Sequence, residues 1–163
     1  MTYKKHFIFL FLFFLQTHCQ IPEDFEQGSL EEINGNLNDT LLSQIDRKFL
    51  HGMIRKYKPS KVIELGVCNG GSSAIILNAL NETKDSHLYS IDILEHACHS
   101  KEKKVGWIVD ERFPKLKQKW TLFTGGIAAK FIESIGGTLT WHLSTPLIMH
   151  PVSGWIFYMF CLS

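Results

Sequence analysis

The sequence carries no surplus of either charge: 17 basic residues stand against 16 acidic ones, for a net charge of +1. A polyanion-binding surface needs clustered excess Lys and Arg, so nucleic acid is excluded as an expected partner. The basic run Lys101-Glu102-Lys103-Lys104 reads as a solvated helix face. Cysteine is also scarce. Cys19, Cys68, Cys98 and Cys161 show no zinc-ribbon spacing and suggest no disulfide framework. His96-Ala97-Cys98-His99 offers ligand types but lacks a second pair at a usual spacing, so it reads as a polar loop and not as a metal site. The apolar run from Phe7 to Leu15 falls short of the ~20 residues that a bilayer-spanning helix requires. No Gly-Lys-Ser/Thr follows the main glycine-rich loop, which excludes a Walker phosphate site. Internal repeats are lacking too.

What remains is a chain of 163 residues, a size that suits one domain with one core. Residues 1–19 form an apolar leader with a basic start. Its proportions are those of a signal peptide, but Thr17-His18-Cys19 is a poor cleavage site. Two readings stand for it: a secreted or membrane-associated product anchored through residues 7–15, or upstream bases read from a mis-chosen start. Residues 20–36 are polar and mixed and read as a lead-in loop. A helix is then expected from Leu37 to Ser60, capped by Asn38 or Asp39 and ended by Pro59. Leu41, Leu42, Ile45, Phe49, Met53, Ile54 and Tyr57 recur at three- and four-residue steps and would form its apolar face.

Lys61 to Val67 reads as a strand buried on both faces. A helix follows from Ser72, with Ser72 or Ser73 as its cap. His87 to Ile93 reads as a second strand, ending in Asp92. The stretch from Lys103 to Lys119 is helical but broken near Pro114. Trp120 begins a third strand, and Ile127 to Gly137 reads as a helix closed by Gly136 and Gly137. A helix followed by three strand-helix units argues for an α/β fold, a Rossmann-like parallel sheet with flanking helices and right-handed crossovers.

Ligands of such sheets sit outside the carboxyl ends of the strands. The loop from Gly66 to Ser73 lies there. Gly66 permits a tight turn, and Gly70 and Gly71 permit a ligand to approach the main chain. Asp92, after the next strand, suits two ribose hydroxyls. Two ligand classes compete. Gly66-Val67-Cys68-Asn69-Gly70-Gly71 matches the dinucleotide fingerprint except at its middle glycine, the one that admits the pyrophosphate. Cys68 stands there and would crowd a phosphate. S-adenosylmethionine has a ribose and adenine but no phosphate, and Glu64 suits its ammonium group. A third reading is a glycine-rich turn that binds nothing.

The segments VIELGVCNGGSSAIILNAL and LYSIDI, with the block from Lys103 to Gly137, resemble the class I S-adenosylmethionine-dependent methyltransferases. The likeness is to a bacterial branch with E-x-G-x-x-x-G-x-S in its first loop, and it covers about Leu41 to Gly137. It implies that residues 37–137 are the N-terminal part of a cofactor-binding domain. Glu64, Gly66, Gly70 and Ser72 would form the methionine-side loop, and Asp92 would be the ribose acid. Some relatives lie among genes for surface-polysaccharide synthesis, so the acceptor is expected to be a small molecule or a glycan. A cytoplasmic location follows unless the leader is real. Two alternatives are a dinucleotide-binding oxidoreductase fragment and a non-enzymatic, membrane-associated degenerate protein.

Residues 138–163 break the pattern. They contain no Asp or Glu and show no clear apolar period. A methyltransferase of this type should next show a strand ending in an acidic loop. A shifted reading frame would supply one: Trp141-His142 and Met149-His150 each force Ala, and Trp155-Ile156 forces Asp. Free codon choices elsewhere permit a strand, an Asp-Thr-x-His loop and a helix. As written, the C-terminal half is expected to be incomplete, with a bare sheet edge and no assignable catalytic residue. Nothing in the sequence assigns the oligomeric state.

Overall fold

The computed structural model describes residues 28–38, 40, 42–98, 100–135, 148–149 and 156–162, the last two stretches by backbone alone. The leader, Asp39, Leu41, His99, Gly136 and Gly137 lie outside the described residues.

The elements run α1 (Gly28–Asn34), α2 (Gln44–Tyr57), β1 (Lys61–Leu65), α3 (Gly71–Leu80), β2 (His87–Ile91), α4 (Trp107–Arg112), a 3-10 turn (Pro114–Lys119), β3 (Trp120–Phe123), α5 (Ala128–Ile135), β4 (Ile148–Met149) and β5 (Ile156–Leu162). β3, β2 and β1 form a parallel sheet with flanking helices, an α/β arrangement. β5 pairs antiparallel to the other edge of β1, and β4 pairs antiparallel to β5, giving the order β3-β2-β1-β5-β4. The edge of β1 is therefore not bare, contrary to expectation. An extended run of apolar residues satisfies the unpaired backbone of that edge without needing the parallel register of a crossover unit.

The lead-in is not a loop throughout, since Gly28–Asn34 is helical. Leu30, Ile33 and Leu37 are buried there. Arg47 fastens this segment: its guanidinium donates to Asn34 Oδ1, Leu37 O and Leu42 O at 3.0–3.3 Å. α2 starts later than its apolar period suggests. Asn38 lies in a turn outside it, and Ser43 is the cap. Ser43 Oγ accepts from Asp46 N while Asp46 Oδ2 accepts from Ser43 N, a reciprocal box that fixes the first turn. Ile45 and Tyr57 are exposed; the buried stripe is Leu50, Met53 and Ile54 with His51. Lys58 ends the helix in the left-handed region, just before Pro59.

Alternation along the strands divides the core in two. Val62 and Leu88 face α3, α2 and α1 in the larger cluster. Ile63 and Ile91 face the other way, where Phe123, Phe131 and Ile135 of β3 and α5 cover them. α3 shows no amphipathic period because it has no wet face: of its residues only Asn78 is not buried. It sits between the sheet and α2.

Candidate functional site

Glu64 and Val62 point to the same face of β1, so Glu64 enters the protein beneath the first turn of α3. It is only 3% exposed. Its Oε1 accepts from Ser72 Oγ at 2.5 Å, and its Oε2 accepts from Ser73 Oγ and Ser90 Oγ, each at 2.7 Å. Trp120 Nε1 donates to Ser90 Oγ at 2.8 Å, extending the network to β3. Burial pushes the Glu64 carboxyl above its ordinary range; the serine hydroxyls pull it back, and nearby Asp92 adds to the push. A carboxylate so enclosed ties strand, helix and neighbouring strand together, and offers no free oxygen to a ligand ammonium in this conformation. Ser72 and Ser73 are likewise not caps: Gly70 occupies the cap position, and both hydroxyls serve Glu64.

Asp92 is 7% exposed and follows β2. Its Oδ2 accepts from the backbone N–H of Val67 at 2.8 Å and of Cys68 at 2.9 Å. Its Oδ1 accepts from Leu94 N at 2.9 Å. Here the carboxylate holds the β1–α3 loop and its own turn, rather than facing outward.

The glycines of that loop differ. Gly66, at φ 86°, is exposed, and a β-carbon there would meet nothing within 4 Å. Gly70, at φ 92°, is buried: a β-carbon would lie 2.9 Å from Gly106 Cα. Gly71 is filled by the Thr40 side chain. The space at Gly70 and Gly71, expected to admit a ligand, is taken by the chain itself. Gly106 N donates to Cys68 O at 2.9 Å and Ile108 N to Asn69 O at 3.0 Å, sealing the contact. Cys68, in the left-handed region at φ 49°, forms a disulfide with Cys98 across a Cα separation of 5.5 Å. The cysteine spacing gave no sign of it. A single pair at a sequence separation of 30 becomes visible only once the loops after β1 and β2 are brought side by side.

The segment carrying Lys101 to Lys104 is not helical. It belongs to an excursion between β2 and α4, closed by a bridge between His96 and Lys104. Among the described residues, no group of three or more metal-ligating side chains converges. Nor is any described helix long and apolar enough to cross a membrane.

The open surface lies beside the motif. Ile93 is 64% exposed and Ile127 is 62% exposed, each just past the carboxyl end of a parallel strand, and Leu94 is also exposed. Glu95 is exposed between them, and its Oε1 would lie 3.0 Å from a β-carbon at Gly125, where φ is 71°. These residues were not singled out from the sequence. Their signal was position alone: large apolar side chains in the loops that follow β2 and β3, where solvent should favour polar ones. No family model matches the chain, and no curated protein matches it.

Proposed function

We propose that the chain is a Rossmann-like S-adenosylmethionine-binding domain of methyltransferase ancestry, located in the cytoplasm, whose ancestral acceptor would be a small molecule or a glycan. The observation that carries the choice of ligand is the occupation of the loop amides. A dinucleotide pyrophosphate needs the loop backbone and the space beside it. Here Asp92 already takes the Val67 and Cys68 N–H groups, and Gly106 fills the approach to Gly70. A cofactor without phosphate loses nothing by this.

The residues present suit such a group at the open rim. Gly66 leaves a space that any β-carbon would narrow. Ile93 and Ile127 offer apolar surface to a planar base, and the Glu95 carboxylate can accept from ribose hydroxyls. Glu64, Gly70, Ser72 and Asp92 are positioning residues: they hold the loop so that Gly66 meets the ligand. When bound, the cofactor supplies a methyl group already activated on a sulfonium, so the protein's contribution is to orient it and exclude water. The acid-bearing loop expected after a fourth parallel strand has no counterpart in the sequence from residue 138 onward. We therefore assign no catalytic residue, and infer that the chain as written binds cofactor without turnover. Calorimetric titration of the purified 163-residue chain with S-adenosylmethionine and with NAD tests the reading: preference for NAD, or binding of neither, overturns it. Release of labelled methyl to any acceptor would contradict the inference of no turnover.

A further inference from the structure

We propose that the Cys68–Cys98 disulfide is a redox latch that fastens the excursion at residues 93–98 and 100–105 onto the β1–α3 loop. Three features point to it. First, the bond joins the loop after β1 to the loop after β2, and neither cysteine is fully buried. Second, the excursion is otherwise anchored at its base. Val105 N donates to Glu95 O at 3.1 Å and Gly106 N to Cys68 O at 2.9 Å. Further out, its bonds are mostly internal: Ala97 N to Lys103 O, Ser100 N to Ala97 O, and the His96–Lys104 bridge. Among the contacts of the described residues, the outward ones come from Lys103, which pairs with Glu111 and lies 4.7 Å from the Trp107 ring centroid; both are partly exposed and weak in water. Third, the core does not depend on the bond. The buried clusters contain neither cysteine, and Asp92 holds Val67 and Cys68 N–H whatever the state of the sulfurs.

Reduction takes two electrons and two protons from a dithiol. The S–S bond breaks, two thiols form, and the reductant leaves as its own disulfide. The outer excursion then opens while the sheet and α3 keep their structure, as expected for a segment of low local stability. Ile93, Leu94 and Glu95 lie at the anchored base of this excursion, so the proposed ligand rim borders the segment that opens. In a reducing compartment such a bond is reversible rather than permanent.

Hydrogen exchange on the full chain, oxidised and then treated with dithiothreitol, tests the latch, with thiol alkylation and mass measurement reporting the bond. The expected result is a mass shift of one pair on reduction and at least tenfold faster exchange in peptides covering 93–105, with peptides from 74–80 unchanged. Cys98→Ser in the absence of reductant should reproduce the reduced pattern. Free thiols at both positions without reductant, unchanged exchange after reduction, or exchange that rises equally throughout the chain would each overturn the proposal. The readout requires no ligand, so it stands apart from the cofactor reading.

Discussion

Two loops at the same end of the sheet carry adjacent glycines, and they differ in burial. Gly70 and Gly71, after β1, are buried against Gly106 and Thr40. Gly125, after β3, is exposed, and Ile127 beside it stands in solvent. At the first pair the chain closes on itself, with the Gly106 backbone against Gly70 and Thr40 against Gly71; at the second, a β-carbon would meet only longer side chains, Glu95 at Gly125 and Phe131 and Lys130 at Gly126. The lesson concerns motifs. The residues that make the first loop conspicuous in the sequence hold the chain to itself, while the exposed apolar surface beside them comes from inconspicuous neighbours. Gly66 alone belongs to both.

The comparison can be broken most severely at Asp92. Asp92→Ala would orphan the N–H groups of Val67 and Cys68 and release Leu94, and should cost about 4 kcal/mol of stability, at roughly 1–3 kcal/mol for each buried donor left unpaired. Urea unfolding measures it; a loss near zero would mean the acid faces solvent instead.

The glycines sharpen the contrast next. Gly70→Ala meets both a left-handed backbone and the Gly106 backbone, and should cost about 2–4 kcal/mol. Gly66→Ala meets only the backbone preference, about 1 kcal/mol, yet should weaken cofactor binding more than its stability cost suggests. Equal costs for the two variants would remove the distinction between closed and open glycines. On the rim, Ile127→Asp should leave stability within about 0.5 kcal/mol, as is usual for exposed positions, while lowering S-adenosylmethionine affinity at least tenfold.

The smallest effects concern pH. Burial lowers the pKa of His51 below 6.5, although its hydrogen bond to Asn78 opposes the shift. Between that lowered value and 6.5 the unfolded chain binds a proton that the folded protein does not. The contribution of His51 is therefore complete above 6.5 and is lost as pH falls through the window. Glu64 acts in the opposite sense. Its raised carboxyl contributes fully below 4.5, and the contribution is lost as pH rises through the raised folded value. His51→Gln should remove a rise of stability with pH that ends at 6.5, and Glu64→Gln a fall of stability with pH that begins at 4.5. Unfolding midpoints between pH 4 and 8 would show whether each slope disappears.

Much of the fold was legible. β1, β2 and β3 follow from short β-branched and aromatic runs, and α3 from its position after the glycines. Strand pairing at the far edge was not, because β5 joins β1 by backbone alone and no local period announces an antiparallel partner. The start of α2 was misread because Ile45 keeps the apolar spacing while lying on the wet face; the Ser43–Asp46 box was the better signal. The direction of the two acids was not legible in the sequence. Glu64 and Asp92 occupy the expected ends of their strands, and only the three-dimensional arrangement turns them toward three serines and two loop amides.

On the proposed reading, a ligand meets the open rim and not the closed loop. A chemical-shift titration of the isotope-labelled chain with S-adenosylmethionine tests it most directly. The amides of Gly66, Ile93 to Glu95 and Gly125 to Ile127 should move, with those of Gly70 and Gly71 nearly still. Large shifts at Gly70 and Gly71 with a silent rim would contradict it.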